Sequence, residues 1–132
     1  MIVAFTSAFP IIYTEDIARA LAFYRDLLGF VEDFRFPDDG EPVFVYLKLA
    51  DGALALAEVN AATVPIHGKQ LRPATGQQFE MCVYTDDIDA AVEKLRATGV
   101  PVLAEAVDQP WGEGLAYVGD PDDNPVMITA PA

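Results

Sequence analysis

Apolar residues recur along this chain with two different periods. Helical spacing gathers Ile17, Ala20, Leu21, Tyr24 and Leu28 on one face, and Ile88, Ala91, Val92 and Leu95 on another. Thr14 or Asp16 is placed to cap the first helix, and Gly29 to stop it. Asp86 or Asp87 caps the second, which Gly99 and Pro101 end. Each helix is followed by three strand-like segments, at residues 31–36, 43–49 and 54–59, and again at 102–107, 115–118 and 126–129. Asp51-Gly52 predicts a hairpin turn, and the run Asp120-Pro121-Asp122-Asp123-Asn124-Pro125 predicts a second turn. Residues 60–78, with two prolines and two glycines, read as a linker without an element of their own.

The two patterns are copies. At a constant offset of 71 residues, Tyr13/Tyr84, Thr14/Thr85, Asp16/Asp87, Ile17/Ile88, Ala20/Ala91 and Arg25/Arg96 are identical. The expected fold is therefore α+β, a βαβββ module repeated in tandem. Module one spans about 1–60, the linker 61–78 and module two 79–132, together one domain. One such module has a sheet with a helix on one face and nothing on the other. Two of them side by side predict a curved mixed sheet with the helices outside and a ligand cavity between the halves.

Composition narrows the function. A 52% apolar, 22% charged chain is globular. The single cysteine, Cys82, excludes an internal disulfide and a four-cysteine zinc site, and its apolar neighbours predict a buried residue. With 21 acidic and 8 basic residues, the net charge of −13 repels phosphate backbones, so a nucleic-acid partner is not expected. The same charge attracts cations, although solubility alone also accounts for it. Without a basic leader or a membrane-length apolar run, a cytoplasmic protein with no membrane partner is expected.

Two stretches resemble the vicinal-oxygen-chelate superfamily of glyoxalases, bleomycin-resistance proteins and extradiol dioxygenases. The first runs from Asp16-Ile17 through Ala22-Phe23-Tyr24-Arg25-Asp26-Leu27-Leu28-Gly29-Phe30; the second is the Asp120 to Pro125 turn. Asp123 replaces the glycine usual in that turn, and Asp tolerates the left-handed backbone required. Thr6-Ser7-Ala8-Phe9-Pro10 and Gln109-Pro110-Trp111-Gly112 resemble the bleomycin-resistance type in particular. That resemblance implies a homodimer with an exchanged N-terminal strand, which sequesters a cationic or aromatic drug without chemistry.

The resemblance also implies where a metal would bind. Carried over by spacing, the four ligand positions are Phe9, Glu58, Glu80 and Met127. Phenylalanine cannot ligate a hard cation and a thioether ligates one poorly, so no metal, cofactor or catalytic residue is expected. Glu58 either lines the cavity or lies at a strand end, near water or paired with Lys48, Lys69 or Arg72. Glu80 equally fits a solvated strand start. Trp111, in a glycine-flanked loop, is expected to stack on a planar ligand, as the resembling segment does. Phe34 and Phe36, with the acids Asp38, Asp39 and Glu41, form a second candidate rim. Of Phe44, Tyr46 and Tyr117 at most two are expected in the pocket, and Tyr46 is counted in the site. His67, the only histidine, reads as solvated linker. The leading expectation is a metal-free small-molecule binder; the alternative is a lyase, isomerase or dioxygenase, with or without a metal.

Overall fold

The structure, a computed structural model, describes residues 6–60, 64–72, 79–110 and 114–131. The chain divides into two compact units, Met1–Pro73 and Ala74–Ala132. In the first unit the strands are β1 (Ile11–Thr14), β2 (Val31–Phe36), β3 (Phe44–Leu49) and β4 (Gly52–Glu58). They form one four-stranded sheet in the order β1-β4-β3-β2, with β1 parallel to β4 and the other pairs antiparallel. In the second unit β5 (Met81–Tyr84), β6 (Val102–Asp108), β7 (Gly114–Gly119) and β8 (Pro125–Thr129) repeat this as β5-β8-β7-β6, with β5 parallel to β8. Each sheet is crossed by the helix that follows its first strand. The α+β reading and the βαβββ repeat hold, realised as one mixed sheet per repeat.

The helix starts match to the residue. In α1 (Ile17–Leu21) the Asp16 side chain accepts from the Arg19 N–H at 3.1 Å; in α3 (Ile88–Ala97) Asp87 accepts from Ala90 at 3.0 Å. Both caps thus sit at the repeat offset and satisfy amides that have no partner within the helix. Gly29 and Gly99 end the helical segments with φ of +91° and +89°, a conformation that glycine adopts without strain.

The first helix departs from regular spacing. After α1 the chain continues as a π-helical stretch, Ala22–Leu27, in which the Leu28 N–H donates to the Phe23 carbonyl five residues back at 3.0 Å. The wider turn moves the buried stripe. Phe23 and the adjacent Tyr24 are both buried, with ring centroids 4.9 Å apart, while Leu28, expected on that face, is only half-buried. Ile12, Val45, Leu47, Leu54 and Leu56 complete the core beneath the helix. Each large aliphatic side chain buried in this way contributes roughly 1.5–3 kcal/mol.

Three local details refine the expectations. The β3–β4 hairpin turns on Ala50-Asp51, with Ala50 left-handed at φ 51°, and Gly52 already pairs with Leu49. The acidic turn closes on the buried Asp120, whose carboxylate accepts from the Asn124 N–H at 2.7 Å, Asn124 Nδ2 at 2.9 Å and the Asp122 N–H at 3.0 Å. Asp123 adopts φ 66° there, as the turn requires. The linker is not devoid of structure: α2 (Val64–His67) is a single turn, with Pro65 where a helix tolerates a missing N–H and Gly68 ending it at φ +76°.

A bulge between Glu32 and Phe34 puts Glu32 and Arg35 on the same side of β2. The Glu32 carboxylate is there bound by Arg35 Nε at 2.7 Å and Arg25 Nη1 at 2.9 Å, which ties the end of the first helical segment to the edge strand. Arg96 makes the equivalent tie to Glu105 on β6, which explains the Arg25/Arg96 identity. The hydrogen bonds from Arg35, and then from Arg25, hold the Glu32 carboxyl below the usual glutamate range. A carboxyl whose folded value is lowered stabilises the fold above its unfolded value, and that stability is lost as pH falls through the folded one. Glu32→Gln is therefore expected to be less stable than wild type at neutral pH. The gap should close as pH falls below about 4.3, as read from urea melts at stepped pH.

Candidate functional site

Strand alternation decides which side chains face the helix and which do not. In the first unit the register sets Ile12, Val45, Leu47, Leu54 and Leu56 on the helix side. The other side carries Ile11 and Tyr13 from β1, Phe34 and Phe36 from β2, Phe44 and Tyr46 from β3, and Ala53, Ala55 and Ala57 from β4. Phe9 joins this side ahead of β1, its ring 4.7 Å from that of Tyr46. Phe34 leans edge-on to Phe44 at 6.2 Å. Aromatic side chains thus stand around a row of alanines, of which Ala55 is fully buried and Ala53 and Ala57 half-buried. Phe9, Phe34 and Phe36 are 42%, 55% and 61% exposed, a clustering of large apolar surface that marks interaction sites rather than chance exposure.

The second unit repeats the arrangement with different chemistry. Its uncovered side carries Glu80, Cys82 and Tyr84 along β5, Met127 on β8 and Tyr117 on β7. The Tyr117 hydroxyl donates to Glu80 Oε2 at 2.8 Å. Cys82 Sγ lies 3.7 Å from Met127 Sδ. Cys82 is exposed, not buried: the run around it is a strand with only one covered side, and Cys82 falls on the other. The hydrogen bond to Glu80, followed by burial and the Glu80 charge, raises the Tyr117 phenol above its ordinary value. Tyr117 is therefore a fixed donor at neutral pH, and Glu80 is held by it rather than merely solvated.

The expected site residues thus divide. Phe9, Phe34, Phe36 and Tyr46 gather on the uncovered face of the first sheet, and Glu80 and Met127 on that of the second. Trp111 lies outside the described residues. Glu58 is corrected: it shares the side of Leu54 and Leu56, as the alternation predicts, but that side faces the helix. It sits at the strand end beside Thr14, half-buried, and lines a depression with Arg72, near the strand-end reading. His67 stands edge-on to Tyr13 at 6.1 Å. Tyr117 carries a sequence signal as the counterpart of Tyr46 at the offset of 71, and its pairing with Met127 places it by Glu80.

The internal register also corrects the presumed ligand set. Met127 pairs with Cys82, and Ile11, the counterpart of Cys82 at the offset of 71, pairs with Ala55. Ala55, not Glu58, is therefore the equivalent of Met127. The first unit offers a phenyl ring and a methyl at these positions, and the second one carboxylate and a thioether. A hard divalent cation needs several oxygen or nitrogen donors, and this set does not fit one. Among the described residues no group of three or more His, Cys, Asp or Glu side chains is placed to hold a metal.

Comparison with known proteins adds identity to this geometry. A family model described as Glyoxalase/Bleomycin resistance protein/Dioxygenase superfamily matches residues 4–128. The human mitochondrial methylmalonyl-CoA epimerase is 30% identical over 94 residues, covering 70% of this chain. The chain spans about half of that enzyme's length, 53%. A crystal structure of a protein of unknown function from Agrobacterium tumefaciens str. C58 superposes with a TM-score of 0.77 at 23% identity, over 99% of this chain and 98% of that one. Lactoylglutathione lyase from Agrobacterium tumefaciens superposes with a TM-score of 0.68 at 26% identity, over 95% and 93%. No helix of the described residues is long and apolar enough to cross a membrane.

The Tyr117–Glu80 pair can be read out directly. In a pH titration followed by phenolate absorbance or ring resonances, Glu80→Gln should lower the Tyr117 midpoint toward about 10, the ordinary phenol value. An unchanged midpoint would mean that the carboxylate does not hold the hydroxyl.

Proposed function

The chain belongs to the glyoxalase/bleomycin resistance protein/dioxygenase superfamily, and from that premise we propose that it is a metal-independent binder of a flat, aromatic small molecule. The single observation that carries the reading is the uncovered face of the first sheet. Phe9, Phe34, Phe36, Phe44 and Tyr46 stand there around Ala53, Ala55 and Ala57. A planar ring stacked there replaces water on several aromatic surfaces at once. The charge of −13 raises the local concentration of cationic compounds, so an aromatic body with a cationic substituent, as in several antibiotics, fits best. By resemblance, Trp111 is proposed to stack on a planar ligand. On the uncovered face of the second sheet, Met127 and Glu80 are proposed as an apolar wall and a hydrogen-bonding handle. A cytoplasmic homodimer with an exchanged N-terminal strand completes the proposal.

A second reading is enzymatic. It is favoured by relatives named as an epimerase and a lyase, and by the Glu80–Tyr117 pair as a proton-handling group on an uncovered face. In that reading Glu80→Gln abolishes a turnover measured with acyl-thioester or hemithioacetal substrates; in the first there is no turnover to abolish.

Titration with a panel of planar cationic aromatics, followed calorimetrically, tests the binding proposal. Phe9→Ala and Tyr46→Ala are each expected to weaken binding about tenfold, and chelator to leave it unchanged. A panel without heat or spectral response, or binding indifferent to both substitutions, would overturn it. Light scattering of the same samples reads the dimer.

A further inference from the structure

The first unit carries a depression at one end of its sheet, lined by none of the aromatic side chains. β1 and β4 run parallel, so their C-terminal ends lie side by side: Thr14 pairs with Glu58, and the Val59 N–H donates to the Thr14 carbonyl at 3.2 Å. Glu15 follows the first strand and Glu58 ends the second. The chain returns past both as Gln70, Leu71 and Arg72. Together these residues line an open depression of about 530 Å³, within the range of small-molecule sites.

The charges around it are separated rather than cancelled. Arg25, Arg35, Lys48 and Arg96 are each engaged by a carboxylate, whereas the exposed Lys69 and Lys94, like Arg72, have none within ion-pair distance among the described residues. Among the described residues no carboxylate lies within ion-pair distance of Arg72, although Glu15 and Glu58 border the same depression. In a chain with 21 acidic and 8 basic residues, a guanidinium has many carboxylates available to it. One that lines the same depression as two of them, outside ion-pair distance, presents both signs of charge to whatever enters.

We propose that this depression binds a zwitterionic small molecule of the amino-acid type, its ammonium toward Glu15 and Glu58 and its carboxylate on the Arg72 guanidinium. A ligand carrying only a carboxylate meets two like charges and a strongly acidic protein. One carrying only ammonium groups leaves the guanidinium without a partner and is repelled by it. Guanidinium and carboxylate form paired, parallel hydrogen bonds, which gives Arg72 a geometric preference for the acid group. Leu71 and Val59 supply an apolar side to the depression, so an aliphatic side chain fits better than a polar one.

Three related probes separate the contributions on the native protein: L-leucine, isoamylamine (leucine without its carboxylate) and isocaproate (leucine without its amine). Amide resonances of Glu15, Glu58 and Arg72 are followed in each titration. Leucine is expected to shift them saturably, with affinity about tenfold above either single-charge analogue. Arg72→Gln should reduce leucine to the affinity of the amine, and Glu58→Gln should weaken it comparably, with thermal melts confirming that both variants fold. Absence of a saturable leucine shift, an analogue binding as tightly as leucine, or a leucine response untouched by Arg72→Gln would each overturn the proposal.

Discussion

One short helix covers one face of a four-stranded sheet, and only one. That constraint governs both halves of this chain. On the covered side, apolar residues at strand period two meet a helical stripe, and the result is a dry core containing Tyr24, Leu54 and Leu56. On the other side the same backbone presents a second row of side chains that no helix crosses, several of them largely exposed. Evolution of function in such a unit is then a matter of what occupies the second row, because changes there do not disturb the core.

The two halves show how far that freedom reaches. Their caps, helix stops, strand orders and registers correspond, and even the arginine tie from helix to edge strand is repeated. Their uncovered faces share the tyrosine pairs Tyr13/Tyr84 and Tyr46/Tyr117 at the repeat offset and otherwise differ. One is aromatic over alanine; the other sets a carboxylate, a phenol, a thiol and a thioether together. A duplicated scaffold has thus kept the interactions that fold it and varied the side chains on its uncovered faces.

Much of the scaffold was legible because its signals are local. An aspartate before an apolar helical stripe, a glycine after it and an aspartate-rich turn each act within a few residues, and Asp16, Asp87, Gly29, Gly99 and Asp123 do what their positions imply. The site was legible only in part because it depends on register. Whether Glu58 or Ala55 faces the aromatic side turns on strand parity and on which side the helix takes. The flanking Leu54 and Leu56 carry that parity, but the resemblance-based spacing pointed to the glutamate. Cys82 was misjudged for the same reason: an apolar run looks buried on both sides, yet this sheet has a covered and an uncovered side. The π-helical stretch has no simple sequence mark. It follows from the need to bury Phe23 and Tyr24 together, a tertiary demand that overrides regular spacing.

Recognition through apolar contact and fixed hydrogen bonds, as proposed, follows from strand positions that carry Phe9, Ala55 and Met127 beside a single carboxylate, too few hard donors for an ion. The most direct measurement is elemental analysis of the purified protein after incubation with zinc, nickel, cobalt and manganese and exhaustive dialysis. The account predicts that no ion is retained in stoichiometric amount. One ion retained per chain, and lost on Glu80→Gln, would contradict it.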